Sequence, residues 1–288
     1  MKGMKARIGL GVAALVGCGI AACLFPSVDG LSGQDGAAEA SATDAGDAGS
    51  NDATSDAKST DATDATTDAS SARFCTTQDA TFCADFDESA DVVTGFTSLF
   101  LTDGGLVAVD DAASSSAPNS LLTGNLVLAI NDSSHGCVVA KTSITPSSSL
   151  VLDMDMRIDT LASQGTYIEA FAIVLESATQ SSIQLNLETA STVVGEEIDT
   201  LDAGKLFIAH TFPAPITMST WSHVNITLVL QAPRTITVTV DTTVVVDHAS
   251  MNSAFVVGPT DVYAGNAYSP GPSDGARIHY DNIVLHLN

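Results

Sequence analysis

Two tyrosines and two polar side chains near the end of the chain are of the types that hold a small polar ligand. Tyr263 and Tyr268 offer aromatic planes on which a sugar ring could stack, while Asn266 and Asp274 offer amide and carboxylate groups for its hydroxyls. Small-ligand sites commonly combine apolar surface with a few such polar groups. The segment 265–271 is rich in Gly, Ser and Pro and is predicted to be a loop. These four residues are the predicted ligand-binding site.

Paired carboxylates elsewhere could perform acid and base chemistry. Asp153, Asp155 and Arg157 alternate along one segment, and Glu196 and Glu197 are adjacent in a segment interpreted as a loop. A retaining glycosidase needs two carboxylates about 5 Å apart on one face. The first segment has Arg157 where a further carboxylate would be needed. Glu196 and Glu197 are sequence neighbours, and neighbouring residues in a strand would point to opposite faces. The charges are interpreted as a solvated strand face, which favours a non-catalytic protein.

The N-terminus has the pattern of an export signal. Three basic residues precede an uncharged stretch, 8–25, which is typical of a secretory signal peptide. Within it, 15–18 and 20–23 each place an aliphatic residue three positions before a cysteine, and both resemble the lipobox of bacterial lipoproteins. The resemblance implies cleavage before an acylated cysteine, which anchors the chain to a membrane. Cys23 is preferred, because cleavage there uses the whole apolar stretch, and Cys18 is the alternative. An uncleaved membrane helix is a further interpretation.

The next segment is predicted to be a disordered tether. Residues 28–72 are nearly all Ala, Ser, Thr, Asp and Gly, and they contain no aromatic residue with which to build a core. The predicted organisation is a signal peptide at 1–22, a lipidated tether at 23–73 and a folded domain at 74–288. The residue after the preferred cysteine is Leu24 and not Asp. By resemblance to sorted lipoproteins, this favours localisation to the outer membrane or cell surface.

Charge excludes one class of partner. The chain has 34 acidic and 10 basic residues and a formal net charge of -24. Nucleic-acid binding depends on clustered Lys and Arg side chains that neutralise phosphates. No nucleic-acid partner is therefore predicted.

Period-two alternation of apolar and polar residues dominates the region 74–288 and predicts β-strands. Leu150, Leu152 and Met154 alternate with Val151 and Asp153 in the clearest example. Many short strands separated by turn residues predict an all-β fold, an antiparallel two-sheet sandwich. The predicted strands lie near 82–87, 97–102, 105–111, 120–130, 136–144, 150–159, 167–176, 183–188, 204–212, 223–230, 236–240, 244–246, 261–265 and 276–287.

Three cysteines remain in this region, in a compartment that permits disulfides. A bond between Cys75 and Cys83 would join the start of the domain to its first strand, and a bond between Cys83 and Cys137 is the alternative. The remaining cysteine is predicted to be buried and unreactive.

Four short motifs in this order resemble the concanavalin A-like lectin/glucanase jelly roll. They are FCADFD at 82–87, APNSL at 117–121, WSHV at 221–224 and YDNIVL at 280–285. The resemblance covers nearly all of 74–288 and is closest to the laminin-G-like domains of bacterial surface lipoproteins. It implies a jelly roll of two packed sheets, with glycan binding, adhesion or glycoside hydrolysis among the known uses.

The resemblance also implies a cofactor. Related modules often hold a structural calcium between the first and last strands, where this sequence has Asp85, Asp87 and Asp281. Carboxylate oxygens suit that ion. The last predicted strand changes the phase of its apolar residues at 281–282, which predicts a β-bulge.

The sequence thus predicts a surface lipoprotein whose non-catalytic jelly-roll module binds carbohydrate. The alternative is protein-mediated adhesion, or a structural role in the cell envelope, without a small ligand.

Overall fold

The computed structural model describes residues 74–87, 91–163, 167–177, 179–200 and 204–288. The predicted signal peptide at 1–22 and the whole predicted tether at 23–73, with Cys18 and Cys23, lie outside these residues. Within the described ranges, no helix is long and apolar enough to cross a membrane.

The described residues form a short 3-10 turn, Phe74–Thr77, and fifteen strands. The strands are β1 (Phe82–Ala84), β2 (Ser98–Leu101), β3 (Gly105–Asp110), β4 (Ser120–Asn125), β5 (Ser133–Lys141), β6 (Ser149–Thr160), β7 (Ile168–Leu175), β8 (Ser181–Leu187), β9 (Thr192–Thr200), β10 (Gly204–Thr211), β11 (Trp221–Val229), β12 (Thr235–Val240), β13 (Thr243–Ser250), β14 (Thr260–Pro270) and β15 (Ala276–Leu287).

The strands form two antiparallel sheets. The first sheet has the order β13-β12-β11-β6-β15-β4-β3, with β1 added beside β15, and the second has the order β10-β9-β8-β7-β14-β5-β2. The predicted antiparallel two-sheet sandwich is confirmed.

The core lies between the sheets and follows the predicted alternation. In β6, Leu150, Leu152 and Met154 are fully buried, while Val151 and Asp153 on the opposite face are partly exposed. The second sheet contributes alternate residues of its own strands to the same core. Burial of this apolar surface at about 25 cal/mol per Å² is the main force that holds the sheets together.

Two predicted segments differ from the structure. Glu196 and Glu197 lie in strand β9 rather than in a loop. Strand β14 continues to Pro270, so most of the predicted loop 265–271 is strand. Both stretches carry Gly and polar residues that sequence patterns read as turn signals, and pairing with neighbouring strands outweighs that local preference.

A bulge in β7 changes which residues face the core. The pairing of β7 with β8 shifts between Glu169 and Phe171, so that Ala170 has no cross-strand partner. Ala170 and Phe171 are both in the core. The hydroxyl of Tyr280, in the opposite sheet, donates a hydrogen bond of 2.5 Å to the carbonyl oxygen of Ala170. This bond satisfies a backbone group that the bulge removes from the ladder.

The last strand contains the predicted bulge. Pairing of β15 with β6 shifts between Asp281 and Val284, and Asn282 has a positive φ of 50°. Before the bulge β15 pairs with β4, and after it with β1. The bulge therefore lies where the last strand changes neighbours.

The disulfide joins Cys75 to Cys83, the first of the two pairings considered from the sequence. Cys137 is free and fully buried. Burial, together with the charge of Glu169, raises the pKa of the Cys137 thiol, so this cysteine stays protonated.

The Tyr280→Phe variant tests the bond between the sheets. It removes the donor and leaves the Ala170 carbonyl buried without a partner, so we expect the free energy of unfolding to fall by about 1–3 kcal/mol. Denaturant unfolding measures the change. An unaltered unfolding midpoint would show that another group satisfies the Ala170 carbonyl.

Candidate functional site

The outer face of the second sheet is defined by residues that alternate with the core. In β14, Val262 and Ala264 belong to the main core. Tyr263 between them packs in a separate apolar cluster on the other side of the sheet, with Cys137 and Ala172 among its members. Side chains in phase with Tyr263 therefore form this outer face.

A group of polar side chains on this face forms what we call the polar patch. Glu169 on β7 lies directly opposite Asn186 on β8 and Tyr268 on β14. Glu169 is 4% exposed and Asn186 is 7% exposed, although both lie on the outside of the sheet. The polar patch comprises His135, Tyr167, Glu169, Asn186 and Tyr268.

Two oxygens of the polar patch lack hydrogen-bond donors. Oε1 of Glu169 and Oδ1 of Asn186 are buried and have no hydrogen-bond partner. Buried polar atoms in folded proteins almost always have one, so each exception calls for an explanation. A ligand that brings N–H or O–H donors would supply what these atoms lack.

The rings of the polar patch lie beside these oxygens. The Tyr268 ring centroid is 5.6 Å from that of His135 and 6.2 Å from that of Tyr167. His135 in turn lies 4.6 Å from Phe100. The three rings of the patch are partly exposed. They give the patch flat apolar surfaces next to buried polar atoms, the combination found in small-ligand sites.

The polar patch is uncharged near neutral pH. Burial, and then the negative charge of Glu197, raise the pKa of Glu169 to about 8, against the opposing charge of Lys205. Burial also lowers the pKa of His135, although its Nδ1 atom lies 2.5 Å from the carbonyl oxygen of Ala267. Glu169 is therefore a neutral acid and His135 a neutral imidazole at pH 7.

Another exposed aromatic ring, outside the polar patch, lies on the same face of the sheet. Phe207 on β10 is 42% exposed, and its ring covers Gly195 on β9 so closely that a Cβ there would be 2.2 Å from the ring. Gly195 lies opposite Gln184 on β8. Glycine at position 195 thus leaves the space that the Phe207 ring occupies on this part of the sheet.

The predicted ligand residues are only partly brought together. Tyr263 and Tyr268 lie on the outer face, but Tyr263 is 9% exposed and packs in the apolar cluster. Asn266 is fully buried and its Nδ2 donates to the carbonyl of Gly124 in the other sheet, so it lies between the sheets. Asp274 accepts hydrogen bonds from Ser163 in an exposed turn. The structure thus separates Asn266 and Asp274 from the two tyrosines.

The predicted calcium residues are used differently. The Asp281 carboxylate accepts hydrogen bonds from the backbone N–H groups of Ser115 (2.9 Å) and Ser116 (2.8 Å). Burial raises its pKa to about 6, against these hydrogen bonds. Asp85 and Asp87 also accept bonds from backbone N–H groups. Among the described residues, no group of three or more His, Cys, Asp or Glu side chains is arranged to hold a metal ion.

The outer face of the first sheet carries the predicted carboxylate row. Nδ1 of His223 lies 2.9 Å from Asp155, and Nε2 lies 3.2 Å from Asp153. Asn225 donates to Asp153 and Asn282 donates to Asp155, at 2.8 Å and 2.9 Å. These groups satisfy one another, in contrast to the polar patch.

The charge of His223 strengthens this network. Burial acts to lower its pKa, but hydrogen bonds to Asp155 and Asp153 and their negative charges outweigh burial and raise the pKa above 6.5. The stabilisation is present below that value and is lost as the pH rises through the raised pKa. The carboxylates therefore favour the protonated form of His223.

Sequence reasoning missed Glu169, Asn186, His135 and Tyr167. One signal was available, because Glu169 interrupts an otherwise apolar run from Ile168 to Leu175. An acid inside such a run is either paired or functional. The cross-strand position of Asn186 was not readable, because strand register depends on the bulge in β7.

Comparison with known proteins supports the fold. No protein-family model matches the chain, and no curated protein is significantly similar to it. The solved structure of endo-beta-1,4-glucuronan lyase from the fungus Trichoderma reesei gives a TM-score of 0.57 at 10% identity, covering 73% of this chain and 96% of that one. A cellulose-induced protein gives 0.51 at 13% identity, with 71% and 96% covered.

A third structure, an alginate lyase variant in complex with alginate trisaccharide, gives a TM-score of 0.48 at 14% identity, with 72% and 98% covered. At such identities the likeness to the first two structures establishes the β-sandwich fold alone.

The Glu169→Gln variant tests the neutral acid. Between its ordinary pKa of 4.5 and the raised value of about 8, the folded protein binds more protons at Glu169 than the unfolded chain. The free energy of unfolding therefore falls as the pH rises through this interval. We expect the variant to be more stable than the wild type at about pH 9 and to match it at about pH 4.

Denaturant unfolding across this range measures the effect. The exposed Glu188, which follows β8, offers a matched control, and Glu188→Gln should leave the pH dependence unchanged. Parallel pH profiles for the wild type and Glu169→Gln would contradict the raised pKa.

Proposed function

We propose that this chain is a surface lipoprotein whose β-sandwich is a non-catalytic module that binds carbohydrate at the polar patch. One observation carries the proposal. Two buried oxygens without hydrogen-bond partners, on Glu169 and Asn186, lie next to the partly exposed ring of Tyr268. A sugar presents hydroxyl donors around an apolar ring face. It therefore matches both parts of the patch at once.

The arrangement supports binding rather than hydrolysis. The residues directly opposite Glu169 are Asn186 and Tyr268, so no second carboxylate lies beside it in register. On the first sheet, Asp153 and Asp155 are held by His223. The other carboxylate near Glu169, that of Glu197, is paired with Lys205. Among the described residues, the carboxylates of both outer faces that are candidates for the pair required by glycoside hydrolysis are thus already engaged by His223 or Lys205.

The site of anchoring belongs to the proposal as well. Acylation at Cys23, or at Cys18 as the alternative, would attach the chain to the cell envelope, on the outer membrane or cell surface. The residues 28–72 would then separate the sandwich from the membrane. Such a tether would let the polar patch reach glycans at a distance from the anchor.

One observation favours the alternative of protein-mediated adhesion. The connection between β4 and β5 exposes Leu126 (56%), Val127 (76%) and Ile130 (71%), while Leu128 between them is buried. Contiguous exposed apolar side chains mark surfaces that contact other proteins. We call residues 126–130 the apolar loop.

The Tyr268→Ala variant tests the carbohydrate function. A bound oligosaccharide raises the unfolding temperature of the full chain by mass action, and a panel of neutral and amino-sugar oligosaccharides screened in this way identifies the ligand. Loss of the ring should weaken binding of that ligand about tenfold or more.

Two variants serve as controls. Trp221→Ala removes a partly buried ring from the outer face of the first sheet and should leave binding unchanged. Asp274→Ala should also bind normally, because that carboxylate holds Ser163. A ligand bound equally well by Tyr268→Ala would place the site elsewhere. A panel without any bound sugar would favour adhesion.

The apolar loop gives the adhesion hypothesis its own test. Under that hypothesis, the double variant Val127→Ser and Ile130→Ser reduces attachment of cells that display the chain to a protein-coated surface several-fold, because exposed apolar contacts are lost. Oligosaccharide binding should not change, because the loop is outside the polar patch. Unaltered attachment would reject the apolar loop as an adhesive surface.

A further inference from the structure

The two unsatisfied oxygens of the polar patch belong to residues that are paired across neighbouring strands. Glu169 and Asn186 are direct cross-strand partners, and such residues have Cβ atoms about 4.5–5.5 Å apart. Both side chains are more than nine-tenths buried, and each has an oxygen without a donor. A single group with several N–H or O–H donors can therefore bridge them.

The charges around the polar patch determine whether a positively or a negatively charged ligand group is favoured there. Lys141 and Lys205 are the two Lys or Arg residues in the strands of the second sheet. Nζ of Lys141 lies 3.4 Å from Oδ2 of Asp261, and Nζ of Lys205 lies 2.5 Å from Oε1 of Glu197. Each lysine is therefore paired with a carboxylate. With a net charge of -24 on the chain, this surface disfavours sugars that carry carboxylates or sulfates.

An ammonium group fits both the geometry and the charge. It has three N–H donors and no acceptor, so it can donate to Glu169 and Asn186 together. Its bond to an ionised Glu169 would be charge-assisted and correspondingly strong. The Tyr268 ring, on the neighbouring strand and opposite Glu169, offers a face that attracts cations.

We propose that Glu169 and Asn186 bind the ammonium group of an amino sugar, so that the glycan recognised by the polar patch contains unacetylated hexosamine. This inference rests on the carbohydrate-binding function proposed above and specifies its ligand class. N-acetylation removes the positive charge and all but one of the donors. The site therefore discriminates against N-acetylated sugars.

Binding is coupled to release of a proton. The free protein holds Glu169 as a neutral acid, because its pKa is raised to about 8. Ionisation of Glu169 on binding transfers its proton to solvent, while the ligand keeps its ammonium charge. Affinity therefore rises with pH until the sugar amine itself loses its proton. The titratable groups that interact electrostatically with Glu169 are Cys137 on β5, Tyr263 on β14, Glu197 on β9 and Lys205 on β10. Tyr268 on β14 lies opposite Glu169, and His135 on β5 and Tyr167 just before β7 lie beside the Tyr268 ring.

Calorimetric titration of the full chain tests the inference. The probes are three tetrasaccharides: a glucosamine oligomer, its fully N-acetylated counterpart and a glucose oligomer. We expect the glucosamine oligomer to bind at least tenfold more tightly than the other two. Titration at about pH 5.5, where both Glu169 and the sugar amine are protonated in the free state, in two buffers of different ionisation enthalpy should show release of about one proton for each site occupied.

The Glu169→Gln variant should lose the proton release and the preference for the amine, so that it binds the glucosamine oligomer no more tightly than the glucose oligomer. Glu188→Gln is the matched control and should retain both. Physiological salt screens general attraction between the cationic oligomer and the acidic residues 28–72. A preference that survives in Glu169→Gln would come from that general attraction and would overturn the inference.

The failures of the two proposals are distinguishable. Equal affinity for all three probes, without proton release, would overturn the amino-sugar inference and leave the carbohydrate function standing. Binding of none of the probes or of the wider panel would reject the carbohydrate function itself. If Glu169→Gln does not fold, the wild-type affinities and the proton count decide the question alone.

Discussion

The extra residue in β7 is the constraint on which the candidate site depends. In a regular strand, Glu169 would share its face with Phe171, Ile173 and Leu175, all of which are buried in the core. The bulge at Ala170 moves Glu169 to the outer face, because one inserted residue reverses the alternation. The bulge leaves the Ala170 carbonyl without a ladder partner, and the hydroxyl of Tyr280 satisfies it. A bond between the sheets thus supports the position of an acid on the surface of one of them.

The two outer faces use polar residues in opposite ways. On the first sheet, Asp153, Asp155, His223 and Asn225 donate to and accept from one another, so burial of these groups is compensated within the fold. On the second sheet, Glu169 and Asn186 are more deeply buried and less well satisfied. An uncompensated buried polar atom costs about 1–3 kcal/mol. This difference between the two outer faces is the basis for proposing the second sheet as the binding face.

Electrostatics further restrict what the second face can accept. The chain is strongly acidic, and the two lysines of the second sheet are paired with Asp261 and Glu197. When the site is empty, Glu169 is neutral and therefore adds no further negative charge to this surface. A ligand that brings a positive charge would convert Glu169 to its ionised form. The same residue would then serve stability in the free state and recognition in the bound state.

The sequence by itself determined the class of fold and most of the strands, because alternation with period two records which side chains must leave water. The residues Leu150, Leu152 and Met154 illustrate this, and the phase change near Asp281 also located the bulge in β15. The two tyrosines of the outer face were also recognisable by type. Strand β9 and the long extension of β14 could not be predicted from the sequence. Their Gly and polar residues are typical of turns, and these segments are extended only because they pair with neighbouring strands.

The composition of the polar patch was decided by tertiary structure. Glu169, Asn186 and Tyr268 are far apart in sequence and meet because β7 pairs with β8 on one side and with β14 on the other. Asn266 and Asp274 were plausible partners from their proximity in the chain, yet one lies between the sheets and the other in a turn. Hydrophobic periodicity specifies which face of a strand is buried. It does not specify which strands are neighbours or in what register, and these depend on long-range packing and on bulges.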